Sequence, residues 1–463
     1  MRVARLLALC ALTTACAPTA RPPADVAMNQ ADMPAATVST SGAQAPRAMP
    51  QRAPMRSNAE IAQDFLDLEF RMESGRALPV LTRFEGPVTV RLTGQVPGTA
   101  PNDLSRLVSR IRSEAGIDLT TTTGPANITV EFLPRRTIRA AHANVACFVA
   151  PRVSSWAEYK AARGTGQLDW TTLTKRDRVA IFAPADSSPQ EVRDCLHEEV
   201  AQALGPLNDL FQLPDSVFND DNFNVTLTGF DMLMLRLHYA PELRSGMTQP
   251  QVAAVLPGLL ARMNPAGAST ARSHQGGRTP PAWVKAMESA LGPRGGSAGR
   301  LSAAENALAI AHAQGWRDSR LAFSWFAVGR LSVGSDPMAA SRAFAEAARI
   351  YRSLPGAHVH AAHVDMQMAA LALSQGDATR ALQMADRALP VVRAAENASL
   401  LATVQMLKAE ALALQGRAAE AEALRLDTAG VARYGFGADS VVRARMRDIS
   451  ALVPAMARLT GRG

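Results

Sequence analysis

The chain has 463 residues, an apolar share of 47%, and 49 basic against 41 acidic side chains for a net charge of +8. That length suggests two to four domains, each able to bury a core of ordinary size. The basic excess is scattered arginine with no aromatic-interleaved patch, which argues for solubility and against nucleic-acid binding.

Arg2 and Arg5 precede an apolar run from Leu6 to Leu12 and then small residues before Cys16. This reads as a signal peptide over 1–16, too short to cross a bilayer as a helix. The Ala15–Cys16 junction resembles a bacterial lipoprotein cleavage site, which implies a lipid at Cys16 and membrane attachment in the cell envelope. Thr13 stands where that pattern usually has Leu, so an ordinary exported protein cut nearby is the other reading. Export leaves Cys147 and Cys195 as an even pair in an oxidising compartment, and a disulfide is predicted between them, with two buried thiols as the alternative. Residues 17–57 are rich in Pro, Ala, Met and Gln without periodicity and are predicted to be a flexible tether.

Residues 58–263 read as an α+β domain. Ile61, Phe65, Leu66, Leu68 and Phe70 mark a first helix, and Leu104, Leu107, Val108 and Ile111 a second. Strands are expected around Val88–Leu92, in ANITVEFLP, in HANVACFVAP and in RVAIFAP. The next helix is the one around which the chain is organised. Ser188 suits its N-cap, Pro189 its first turn, and Glu191 a capping box with Ser188; Gly205 and Pro206 end it. Two further helices are expected within 223–246 and 247–263.

A zincin peptidase places His-Glu-x-x-His on a helix, so that residues i and i+4 face one metal and the Glu polarises the bound water. Starting that pattern at His197 puts Ala201 at a ligand position and fails. Starting one residue later gives Glu198-Glu199-x-x-Gln202-x-x-Gly205-x-x-Asn208, with Glu199 at the water-activating position. Pro214–Asn219 then resembles the turn beneath the metal in metzincin-like proteins, with Phe218 in place of Met. Over roughly residues 60–250 the chain resembles an uncharacterised family of bacterial envelope proteins, catalogued as a domain of unknown function, whose members commonly carry Glu-Glu-x-x-Gln. The resemblance implies a zincin-like fold and no established activity.

Glu198, Gln202, Asn208 and Asp209 would form an all-oxygen ligand set, poor for zinc and better for calcium or magnesium. A metal-free, catalytically silent site, a structural hard-cation site and a working hydrolase with Glu199 as general base are the three readings, the first preferred. His197, on the adjacent face, reads as a surface residue. Asp220–Asn222 could form a cation loop but reads as a solvated one, and His358, His360 and His363, too sparse for a metal site on a repeat, read as surface residues.

Residues 264–300 read as a linker by their Gly and Pro content. Over 301–463 alanine dominates and a repeat appears. Gln375–Leu389 resembles the second helix of a tetratricopeptide repeat, with Ala381, Leu382, Ala385 and Ala388 at packing positions; weaker units surround Asp336–Ala347 and Gly416–Thr428. Such an array offers a groove for a protein or peptide. The sequence therefore favours an envelope scaffold or adaptor, whose first domain binds peptide or glycan without cleaving it, over an atypical metal-dependent hydrolase.

Overall fold

A computed structural model describes residues 42–49, 53–143, 145–270, 278–292 and 295–454; the signal segment and Cys16 lie outside the described residues. The first region contains α1 (Asn58–Glu69), β1 (Val88–Gly94), α2 (Ala100–Arg110), β2 (Leu119–Thr121), β3 (Ile128–Leu133), α3 (Arg135–Ala141), β4 (Phe148–Pro151), α4 (Trp156–Ala162), β5 (Val179–Pro184), α5 (Pro189–Leu204), α6 (Gly229–His238) and α7 (Gln249–Met263). The strands form one mixed sheet in the order β2-β1-β3-β5-β4, parallel except for β4, which pairs antiparallel with β5 at one edge.

β5 explains how the sheet carries the site. All of its positions are buried, as expected for a strand covered on both faces. Successive side chains point to opposite faces. Val179, Ile181 and Ala183 join the main core with Val192, Leu196 and Val200 of α5. Ala180 and Phe182 join a smaller cluster with Ala150, Val153, Tyr159 and Ala162 on the other side. The expected strands all form. β2, three residues long, had too little pattern to be read.

The expected disulfide also forms: Cys147, just before β4, is bonded to Cys195 in the middle of α5, closing a sequence separation of 48 residues. It fastens α5 to the antiparallel edge of the sheet. The capping box is only half present. Ser188 Oγ accepts from Glu191 N at 3.2 Å, but the Glu191 carboxylate is bound by the Arg135 guanidinium at 2.6 Å instead. A buried ion pair outcompetes a return bond to one backbone amide.

The second region is a run of helices: α8 (Pro281–Leu291), α9 (Ser297–Ala313), α10 (Ser319–Ser332), α11 (Pro337–Ser353), α12 (His358–Ser374), α13 (Ala378–Ala394), α14 (Ala398–Leu414), α15 (Ala418–Phe436) and α16 (Asp439–Ser450). α8 corrects the linker reading of 264–300. Gly and Pro flank it on both sides, yet Trp283 within it is fully buried and its indole N–H donates to Ser324 Oγ at 2.9 Å. From α10 onward the layout is a helical repeat. Asp336, Asp377 and Asn397 cap α11, α13 and α14 through side-chain oxygens. Among the described residues no helix is long and apolar enough to cross a membrane.

The two regions are packed together. Phe223 belongs to the same buried cluster as Trp283, Phe323 and Phe326. His360, read as a surface residue, is fully buried, and its Nε2 lies 2.6 Å from Asp221 Oδ2; Phe223 stacks on His363. His358 alone of the three is exposed. A short polar-looking helix segment gave no sign that a loop far upstream would cover it.

Candidate functional site

α5 is held at both ends. Its N-terminal half faces the repeats: Gln190 Nε2 donates to Asn397 Oδ1 at 3.1 Å, and Arg193 donates to Glu396 O at 2.7 Å. Its C-terminal end is closed by Arg176, buried beneath it, whose guanidinium donates to Gln202 O and Ala203 O at 2.6 and 2.7 Å and also to Gly205 O. The last carbonyls of a helix attract a cation, so Arg176 fixes where the chain leaves α5. Sequence reading missed Arg176, because nothing local links it to that helix.

With both ends held, Glu198 and Gln202, four residues apart, share one face of α5, and Glu199 lies beside them. Glu199 and Gln202 are buried; Glu198 and Asp209 are half-buried. Glu73, from the turn after α1, lies beside Asp209 and Gln202, whose side chains favour its charged form. Asp220 approaches from the loop after the Pro214–Asn219 turn. Glu73 and Asp220 are exposed and Glu199 is buried, so the acidic group, called the cleft below, runs from Glu199 inside to these two at the surface.

Like charges dominate the cleft. Burial raises Glu198 to about 8, helped by Glu73, Asp220 and Asp194. Burial drives Glu199 well above the carboxylate range, with Glu198 and Glu73 adding to it. Asp209 is driven the same way by burial and then by Glu73, Asp220, Glu198 and Glu199. Burial raises Asp220 to about 7, with Glu73 contributing, and burial also raises Glu73 itself. Such crowded carboxyls titrate as a group and retain protons near neutrality. Glu199 Oε2 is buried and has no hydrogen-bond partner.

The remaining expected residues sort differently. Asn208 Nδ2 donates to Asp67 O at 2.9 Å, bracing α1; it is Asp209 that meets Glu73. His197 is buried rather than exposed, and its Nδ1 accepts from Leu227 N at 3.1 Å. Burial, then Arg193 and Arg110, pushes its pKa well below the usual value, so it serves as a neutral structural acceptor. The expected Pro214–Asn219 turn is tightly built. Ser216 Oγ donates to Asp231 Oδ1 at 2.5 Å, Val217 N donates to Asp231 Oδ2 at 3.1 Å, and Asn219 Nδ2 donates to Leu213 O at 2.8 Å. Phe218 is fully buried in the core. The turn sets Asp220 toward the cleft and Asp221 toward His360. The solvated-loop reading fits the exposed Asp220 and Asn222 and is corrected at Asp221, which is buried against His360.

The zincin resemblance implies zinc, and the residues do not fit it. The cleft offers carboxyl and carboxamide oxygens, whereas zinc sites are built on imidazole and thiolate. Among the described residues no three His, Cys, Asp or Glu side chains converge as a metal-binding group. The arrangement can instead donate and accept protons, or receive a cationic group of a ligand.

No curated protein and no solved structure matches the chain. A family of proteins of unknown function, DUF2927, matches residues 58–258, which span the sheet, α5 and the whole cleft. The region that carries the candidate site is therefore similar to that family of unknown function, and a helical-repeat region follows it.

Proposed function

We propose that the chain is a cell-envelope lipoprotein, anchored at Cys16, that acts as a binding or scaffold protein. Its zincin-like first domain is catalytically degenerate, and its tetratricopeptide-like repeats carry the partner surface. The observation that carries this reading is the replacement of the ligand positions. Glu198 and Gln202 stand at i and i+4, and the side chains gathered with them are Glu73, Asp209 and Asp220. A cleft with several acids and no matched cation is suited to holding a basic group of a peptide or amino sugar. The firm seating of the repeats on α5 supports one binding unit rather than an enzyme with a separate module.

The test uses the full chain. Metal content after purification without chelators is expected to show no stoichiometric zinc, and Glu199→Gln is expected to leave partner recovery intact. One zinc per chain, or partner recovery that fails in Glu199→Gln with the fold retained, would overturn the reading. The competing reading is a hydrolase in which Glu199 moves the proton, and the unpartnered Glu199 Oε2 favours it. That reading requires a hydrolytic activity lost in Glu199→Gln and unaffected by loss of partner binding.

A further inference from the structure

Residues 17–57 read as a free tether, but Gly42–Met49 lies against the repeats. Ala43 and Ala45 are half-buried and Pro46 buried, Gly42 and Arg47 are exposed, and the Gln44 side chain, itself largely exposed, lies over Gly430. Gln44 N donates to Gly430 O, a carbonyl within α15, at 3.0 Å. Met49 N donates to Glu396 Oε1 at 3.3 Å. Glu396 lies in the turn between α13 and α14, and its carbonyl accepts from Arg193 of α5. The strap thus ends on the turn against which the site-bearing helix rests.

Gly430 is the informative residue. Glycine inside a helix is less stable than alanine, so its presence needs a reason outside the helix. A Cβ built there would lie 2.7 Å from Gln44 Cδ and 2.9 Å from Gln44 Cγ, and its three nearest atoms all belong to Gln44. The helix is bare at the point where the strap crosses it. At the other end Gly42, with φ of +72°, sits against Arg433. Arg433 also lines a cavity of about 180 Å³ with Met406, Thr428, Ala432, Val442 and Met446.

We propose that this face of α15, with the Glu396 turn, is a peptide-docking surface. Its ligand class is a proline-containing segment that turns small side chains inward and any charge outward, and Gly42–Met49 is the occupant in cis. Recognition rests on main-chain hydrogen bonds and shape, since small side chains turn inward and the charged Arg47 turns out. Proline lowers the entropy lost when an extended segment docks. The short connection to α1 gives the cis strap an effective concentration in the millimolar range, so a competitor must bind more tightly or arrive in several copies. The proposal deepens the reading of the repeats as the partner-binding part and is independent of the acidic cleft.

The probe is a labelled synthetic peptide of residues 41–50, titrated into the full chain with 42–49 replaced by a Gly-Ser segment of equal length. Saturable binding is expected, at least tenfold weaker to the natural chain and at least tenfold weaker when the replaced chain carries Gly430→Val. No saturable binding up to millimolar peptide, equal binding to the natural chain, or indifference to Gly430→Val overturns the proposal. A second measurement does not depend on the replaced chain folding. In the natural sequence, tryptic cleavage after Arg47 is expected to accelerate at least fivefold in Gly430→Val, whose branched side chain is larger than rotation of Gln44 alone can clear. An unchanged rate overturns the docking. Peptide binding without any partner recovery by the chain would refute the scaffold reading alone. Partner recovery that survives failed peptide binding would refute this surface alone.

Discussion

The two halves of α5 treat charge in opposite ways. In the N-terminal half the charges face opposite charges: Glu191 is held by Arg135 at 2.6 Å, Arg193 faces Glu396 and stacks over the Tyr434 ring, and Asp194 keeps a looser contact with Arg193 at 3.7 Å. In the C-terminal half Glu198 and Glu199 face further carboxyls and no base. Asp220 and Asp221 repeat the contrast one residue apart, the first raised to about 7 among like charges and the second paired with His360. Buried charges that hold a fold are matched; a set left unmatched costs stability and is retained where it meets a ligand or a proton.

The largest effect is expected at the boundary between the halves. Replacing Cys147 and Cys195 by Ser together should cost about 4 kcal/mol from loop entropy, read from denaturant unfolding; a loss under about 1 kcal/mol would mean that α5 is held without the cross-link. Next, Arg135→Ala leaves Glu191 buried and alone and should cost about 3 kcal/mol. Glu191→Gln in that background should recover part of the loss, and no recovery would show that the pair is not what holds this half.

The unmatched half should behave with the opposite sign. Glu198 has its pKa raised in the fold to about 8, by burial and then by Glu73, Asp220 and Asp194, so between the unfolded carboxylate value and that value the folded state binds more protons. Stability therefore falls as pH rises through that window, by about 1.4 kcal/mol per pH unit for each fully titrating group. His197 and His363 are lowered, the latter to about 3, and destabilise only as pH falls below about 6.5. From pH 6.5 to 8 the carboxyls act alone, and Tm should fall. Glu198→Gln should raise Tm at pH 8 and raise it clearly less at pH 5.5, where the unfolded carboxyl has only begun to gain on the folded one; an equal shift at both would refute the crowding. The smallest effect is expected for Asp221→Asn, which keeps an acceptor for His360 and should cost about 1 kcal/mol. A larger cost would make the Asp221–His360 contact a main tie between the regions.

Much of α5 was legible in the chain alone. Ser188, Pro189 and Gly205 mark its ends by local backbone chemistry, and the choice of register for Glu198, Glu199 and Gln202 follows from helical spacing. The Cys147–Cys195 bond followed from the export signal and an even count. The cleft was half legible. Glu198, Glu199, Gln202 and Asp209 were named, while Glu73 lies in a turn far upstream with no signal of its own. Asn208 was given a ligand role, but its amide is committed to the Asp67 carbonyl.

By itself, then, the sequence determined what depends on neighbours along the chain: the ends of α5, periodicity, the i to i+4 face, and the Ala-rich repeat of the second region. Only the tertiary structure decided what depends on desolvation and on partners distant in sequence. It turned Glu191 to Arg135, buried His197 and His360, brought Glu73 and Asp220 to the mouth of the cleft, and laid Gly42–Met49 across Gly430. The reason is physical. A carboxyl or an imidazole acquires its charge state and its role from whatever excludes water around it, and that environment is assembled from segments that carry no mark of one another.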